Sequence, residues 1–258
     1  MSTILTTKQD AIATISFHRP EAMNSLNEVM AQELLGIMTE FTQDPKLRVI
    51  ILRGTGQLFM AGGDVGFFYR HLSEIEKKVD SVISQVHQVV QMMQQSDKII
   101  IAAVHGSVAG IGVSFMLASD LVIAADDTKF TLAYSKIGAT PDGGLTFTLP
   151  RIVGTKKAME LALLSDVFDA KMAKSYGLIN WVVKREELEQ ETINIATHIA
   201  SGPAFTFASI KHLINTTWQR DLTGQLKAEE KSFIEVAKTE DFRRGVTAFV
   251  MKSKVEFC

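Results

Sequence analysis

The chain has 258 residues, 46% of them hydrophobic and 22% charged, with a formal net charge of −2 and a mean hydropathy of +0.12. That length buries a sizeable core. The near-neutral charge gives no bulk attraction to nucleic acid, and no apolar run approaches the roughly 20 residues of a membrane span. The sole cysteine is the last residue, Cys258, so no internal disulfide forms, and together with an opening stretch that lacks a secretory-leader pattern this predicts a cytoplasmic protein.

In chain order, residues 11–17 alternate with period two and end at a turn, Arg19-Pro20. Ser25 and Glu28 have the spacing of a capping box ahead of an amphipathic helix marked by Val29, Leu34, Ile37, Met38 and Phe41. That helix stops near Asp44-Pro45. Residues 49–52 read as a buried strand and are followed by a glycine loop, Phe59-Met60-Ala61-Gly62-Gly63-Asp64. The stretch 82–93 is helical in period. Residues 98–104 form a second buried strand, followed by a second glycine loop at residues 105–112 and a helix through Leu117. Further short strands are predicted over 120–124 and 129–134. A strand-strand-helix unit repeated three times suggests an α/β spiral. From Thr155 onward helices are predicted over 156–164 and 170–176, then a strand over 179–183 and helices over 186–200, 204–218, 222–238 and 242–251. Gly202-Pro203 marks the boundary between a core over residues 1–200 and a helical region over 201–258, too small for a deep core of its own.

Glycine turns ahead of helix starts leave backbone N–H groups free and accessible. Two such loops face to face have the layout of an oxyanion hole, although two ordinary strand-to-helix turns have the same sequence signature. A carboxylate, Asp142, stands between Pro141 and Gly143-Gly144 just before an apolar helical run. It reads as a turn or N-cap residue, or as a carboxylate at the mouth of an apolar pocket, where burial strengthens it as a base. A base and an oxyanion hole together suit a thioester enolate. The six histidines fall into no metal-ligand spacing, so no metal is expected, and no nucleophile elbow, P-loop or complete dinucleotide fingerprint is present.

Residues 19–26 (Arg-Pro-Glu-Ala-Met-Asn-Ser-Leu), Ala61-Gly62-Gly63-Asp64, Ala102-Ala103-Val104-His105-Gly106 and the segment 132–144 together resemble the crotonase (enoyl-CoA hydratase/isomerase) superfamily, and the resemblance runs over essentially the whole chain. It implies a spiral of ββα units and a C-terminal helical region that builds a homotrimer or a dimer of trimers. It also implies an acyl-CoA substrate of fatty-acid or phenylacetate catabolism, with CoA as part of the substrate and no separate cofactor. The thioester oxygen would rest on the N–H groups of Gly63 and Ile111. The substrate-binding positions it implies are Ala22, Ala61, Gly62, Asp64, His87, Gly110, Ser114 and Tyr134.

This chain departs from the family's hydratases at the two positions of their paired glutamates, which are Ser114 and Tyr134 here. His105 stands where Asn is usual, and Ile111 replaces a glycine, which demands dihedrals that a β-branched residue tolerates. Segment 130–142 is instead similar to single-aspartate isomerases acting on ring-epoxidised phenylacetyl-CoA or on Δ3/Δ2-enoyl-CoA. The expected reaction is therefore isomerisation through a thioester enolate, with Asp142 as sole acid and base. The alternatives are an enoyl-CoA hydratase, a 4-chlorobenzoyl-CoA dehalogenase-like enzyme using Asp142 with His87 and Tyr134, and a non-catalytic CoA-thioester-binding member.

Overall fold

The computed structural model describes residues 2–257. Its main sheet is built of β1 (Ile4–Gln9), β2 (Ile12–Phe17), β3 (Val49–Gly54), β4 (Ile99–Val104), β6 (Leu121–Ala125) and β9 (Trp181–Val183), in that spatial order. A smaller sheet pairs β5 (Ser107–Ala109), β7 (Lys129–Thr131) and β8 (Phe168–Asp169). The first two strands form an antiparallel hairpin; β2, β3, β4, β6 and β9 then run parallel. Two turns of chain send one strand to each sheet before a helix: β4 and β5 precede α4 (Ile111–Ala118), and β6 and β7 precede α5 (Leu145–Leu164). After β3 the small sheet gains only an isolated bridge, Met60 to Val108. This is the spiral of strand-strand-helix units that the repeat pattern predicts.

Parallel strands covered on both faces read as continuous apolar runs rather than alternations, and β3, β4 and β6 do. Ile50, Leu52, Ile100, Ala102, Val104, Val122 and Ala124 point into the large core, which is shared with α1 (Glu28–Gln43), α3 (Ile75–Gln95), α4 and α5. Val49, Ile51, Ile101, Ala103, Ile123 and Ala125 point the other way, onto Leu188 and Ala196 of α7 (Leu188–Ala200).

Several expected boundaries move. Residues 4–9 form a strand exposed at every position but Ile4, so they lack the apolar alternation of β2. Asn27, not Ser25, caps α1, its side chain accepting from the Met30 N–H at 3.0 Å. α3 begins seven residues before the predicted start at Val82, and α2 (Val65–Arg70) fills the loop between. α5 starts at Leu145, with the apolar helical run expected just past Asp142, breaks at Gly154 (φ 76°, ψ 158°), and continues through the predicted helix over 156–164. α6 (Ala170–Ser175) and α7 follow the predicted order.

The C-terminal helices α8 (Ala204–Asn215), α9 (Leu222–Ala237) and α10 (Glu240–Met251) begin just past Gly202-Pro203. One buried cation ties them to the core. Lys211 of α8 donates from Nζ to the carbonyl oxygens of Met93 and Lys98, at 2.6 and 2.7 Å, and pairs with Asp120 Oδ2 at 2.9 Å. Removing one partner of a buried ion pair leaves the other charge desolvated and unpaired. Lys211→Ala is expected to lower the unfolding free energy by about 3–5 kcal/mol, measured by urea denaturation.

His105 leaves the end of β4 only 7% exposed, with Nε2 3.3 Å from the Gly56 carbonyl oxygen. Burial, reinforced by the nearby Arg185 charge, pushes its pKa down to about 4. The unfolded chain therefore binds this proton first as pH falls, so stability declines from about pH 6.5 and the loss levels off near pH 4. His105→Asn, which cannot titrate, is expected to lose less stability than the wild type across that window, by up to about 3 kcal/mol. Parallel denaturant curves at pH 7 and pH 4 measure the difference.

Candidate active site

The two glycine loops meet. The first lies between the Leu26 segment and β5. The Leu26 N–H donates to the Gly62 carbonyl at 2.8 Å, the Asp64 N–H to the Leu26 carbonyl at 2.8 Å, and the Ala109 N–H to the Met60 carbonyl at 2.9 Å. These bonds use the groups flanking Gly63, whose own N–H has no protein acceptor among the described residues. The Ile111 N–H has none either, because it opens α4 and the first N–H groups of a helix have no partner within it. Gly110 takes an unusual backbone conformation (φ 51°, ψ −123°), and a Cβ on it would lie 3.3 Å from Gly62 Cα. Ile111, in contrast, is not at positive φ. Its β-branched side chain is therefore compatible with a free backbone donor.

Asp142 reaches the same place from the opposite side. After β7, Ala133 adopts a left-handed conformation (φ 60°) ahead of a short 3-10 turn, Tyr134–Ile137. A non-glycine residue there costs of order 1 kcal/mol, and the kink precedes the residue whose side chain meets Asp142. The Tyr134 hydroxyl donates to Asp142 Oδ1. Ser114, on α4, lies 3.2 Å from that hydroxyl and donates to the Asp142 backbone carbonyl at 2.9 Å. A Cβ at Gly143 (φ 59°) would fall 2.6 Å from Ile111 Cδ1 and 2.8 Å from Ser114 Cβ. Glycine thus lets the turn sit directly on the first turn of α4.

The N-cap reading of Asp142 is corrected by this geometry. Gly144 occupies the cap of α5 with no side-chain bond, and the carboxylate turns to Tyr134 instead. Burial raises the Asp142 pKa, opposed in part by the Tyr134 hydrogen bond and by the charge of His87. Burial foremost, with the adjacent carboxylate, drives the Tyr134 phenol well above its ordinary range, so it stays protonated.

The groups open onto a cavity of about 590 Å³. Of the residues predicted for the site, Ala61, Gly62, Gly63, Gly110, Ile111, Tyr134 and Asp142 line it. Ser114 stands behind Asp142 rather than in the wall. Asp64 serves the fold instead, capping α2 by accepting from the Phe67 N–H at 2.8 Å and pairing with Arg19 at 3.0 Å. Ala22, in a short turn over Pro20–Ala22, does not line the cavity. His87 does not either; it is exposed on α3 and reaches Asp142 only through its charge. Trp181 and Trp218 also lie outside the lining.

The apolar wall is what the sequence reading missed. Phe68 and Tyr69 of α2, then Leu72, Ile75, Val79, Val82 and Ile83, face the cavity. The signal was present: positions 72, 75, 79, 82, 86, 89 and 93 repeat at alternating steps of three and four. The downstream members, Val86, Val89 and Met93, pack into the core. Among the described residues no cluster of His, Cys, Asp and Glu is arranged to hold a metal ion, and no helix is long and apolar enough to cross a membrane.

Comparison with known proteins agrees with this architecture. A family model described as enoyl-CoA hydratase/isomerase matches residues 7–258. The 1,2-epoxyphenylacetyl-CoA isomerase of Escherichia coli K12 is 34% identical over 260 residues, covering 100% of this chain and 98% of that protein. The crotonyl-CoA hydratase of Syntrophomonas wolfei is 33% identical over 255 residues, covering 98% and 97%. Among solved structures, an enoyl-CoA hydratase from Polaromonas sp. JS666 superposes with a TM-score of 0.94 at 27% identity, over 99% of both chains. With the spiral sheet, the facing glycine loops and a match over nearly its whole length, the chain belongs to the enoyl-CoA hydratase/isomerase family.

Proposed function

We propose that the protein is an acyl-CoA isomerase that moves a carbon–carbon double bond, or isomerises a ring-epoxidised aryl thioester, through an enolate, with Asp142 as the single acid and base. The observation behind this reading is that, among the described residues, Asp142 is the one acidic side chain lining the cavity. Adding water to a double bond calls for activating the water and delivering its proton, work suited to two carboxylates. Ser114 and Tyr134 occupy the positions where the family's hydratases carry that pair, and neither is a carboxylate base.

For a 3-enoyl thioester, the ionised Asp142 takes a proton from the α carbon. The C–H electron pair forms a double bond between the α carbon and the carbonyl carbon, and the carbonyl π pair moves onto oxygen. The β,γ double bond is conjugated with the result as a dienolate. The negative charge on the thioester oxygen rests on the Gly63 and Ile111 N–H groups, where one such donor is worth roughly 3 kcal/mol of transition-state stabilisation. Asp142 then returns its proton to the γ carbon; the α,β double bond forms and the carbonyl reforms, leaving a 2-enoyl thioester and a regenerated carboxylate. CoA enters and leaves with the acyl group, and no other cofactor takes part.

Asp142→Asn is expected to reduce isomerisation of a 3-enoyl-CoA by at least about a hundredfold, while CoA-thioester binding stays within several-fold. Absorbance of the conjugated thioester and calorimetric titration measure the two. Retained turnover would remove Asp142 from the mechanism, and efficient hydration of crotonyl-CoA would favour a hydratase. Since ionised Asp142 is the active form and burial raises its pKa, activity should fall with decreasing pH from above the ordinary carboxylate range.

The C-terminal helices support assembly as a homotrimer or a dimer of trimers. Trp218, Phe233 and Phe249 are 66%, 65% and 87% exposed, and such apolar surface favours burial against another chain. Light scattering at micromolar concentration is expected to give three or six chains, and a monomer would sink the assignment.

A further inference from the structure

Asp142 has two carboxylate oxygens, and the protein treats them differently. Oδ1 accepts from the Tyr134 hydroxyl. The Ser114 Oγ lies 3.2 Å from that hydroxyl and gives its single proton to the Asp142 main-chain carbonyl at 2.9 Å. One α4 side chain, itself only 1% exposed, thus fixes the backbone of the acceptor and packs against the donor. Among the described residues, Tyr134 is the one other residue whose hydrogen bond to this carboxylate is seen, and it goes to Oδ1.

We propose that Tyr134, anchored by Ser114, is a positioning residue: it occupies one oxygen of Asp142, fixes the plane of the carboxylate and leaves the other oxygen to exchange the proton with substrate. This rests on the isomerase reading of the same site and gives Tyr134 and Ser114 a role there beyond lining or supporting the pocket. Tyr134 does not itself carry the proton. Its phenol is pushed far up by burial and by the adjacent carboxylate, so it donates a hydrogen bond at any working pH without giving the proton up. Donation to a carboxylate favours the ionised form. In a cavity whose dryness opposes ionisation, the phenol therefore keeps Asp142 available as a base. Besides Tyr134, the titratable group that acts on this carboxylate is His87, from α3. Tyr69, from α2, and Lys136, from the turn that bears Tyr134, line the same cavity, and α4 contributes only the neutral Ser114.

The test is the pH profile of kcat/KM on a 3-enoyl-CoA for the wild type, Tyr134→Phe and Ser114→Ala, with thermal unfolding as a control for folding. Removing the phenolic hydroxyl is expected to move the acid limb up by about one pH unit and to lower kcat about tenfold, with KM within about threefold. Ser114→Ala is expected to move the limb in the same direction by less. Should Tyr134→Phe fail to fold, the limb of Ser114→Ala decides in its place. An acid limb that stays where it is in folded variants overturns the inference. Asp142→Asn separates the two levels: if that variant is inactive while the limb does not move, the isomerase reading stands and the role of Tyr134 falls. If Asp142→Asn remains active, both fall.

Discussion

Backbone contact between segments without intervening side chains is the constraint on which the site depends. Gly62 and Gly110 bring two loops to within van der Waals distance, and Gly143 seats the Asp142 turn on Ile111 and Ser114. Three stretches of chain, distant in sequence, meet here: a Cβ at Gly143 would clash with Ile111 and Ser114, and one at Gly110 would crowd Gly62. The free N–H groups of Gly63 and Ile111 and the carboxylate of Asp142 then share one cavity because the main chain leaves them no other place. The parallel strands feeding these loops are buried on both faces, so the loops inherit the rigidity of the sheet. A site mounted on such elements needs little reorganisation when charge develops.

Electrostatics at the site are a contest between two effects of comparable kind. Enclosure among apolar side chains disfavours an ionised carboxylate, whereas the hydrogen bond from Tyr134 favours it. A base needs both. Desolvation makes it thirstier for a proton, and the donor keeps enough of it ionised to act. A second carboxylate nearby would repel the first and push one pKa up strongly, whereas the neutral Ser114 and Tyr134 impose no such penalty. Among the described residues lining the cavity, Asp142 thus carries its negative charge without a second acid to repel it.

Much of the fold is legible in the sequence because parallel strands covered on both sides write themselves as unbroken apolar runs. Residues 49–52, 98–104 and 120–124 match their strands within a residue or two for that reason. β1 escapes such a reading, since only Ile4 on it is buried and its partner supplies the pattern. The start of α1 shifts because Ser25 and Asn27 are both good caps, and the choice between them is made by the chain geometry around Leu26. At the site, the glycine loops and Asp142 are visible as breaks in periodicity. Ala22, Asp64 and His87 carry the right motif positions but not the lining, because which way a side chain turns is decided by packing: Asp64 is claimed by Arg19 and by the start of α2. The bond between Tyr134 and Asp142 depends on a left-handed alanine, a conformation that no local pattern announces.

The wall that would receive the acyl group belongs to neither sheet. It comes from the segment between β3 and β4, where α2 and the first half of α3 present Phe68, Tyr69, Leu72, Val79 and Ile83. Asp142 and the Ile111 amide are anchored elsewhere, on the turn before α5 and at the start of α4, whereas the Gly63 amide sits on the loop just ahead of α2, against Phe68. Side chains of α3 can therefore be exchanged to reshape the cavity while Gly63, Ile111 and Asp142, none of which lies on that helix, keep their geometry. Changes in α2 would reach the Gly63 loop as well.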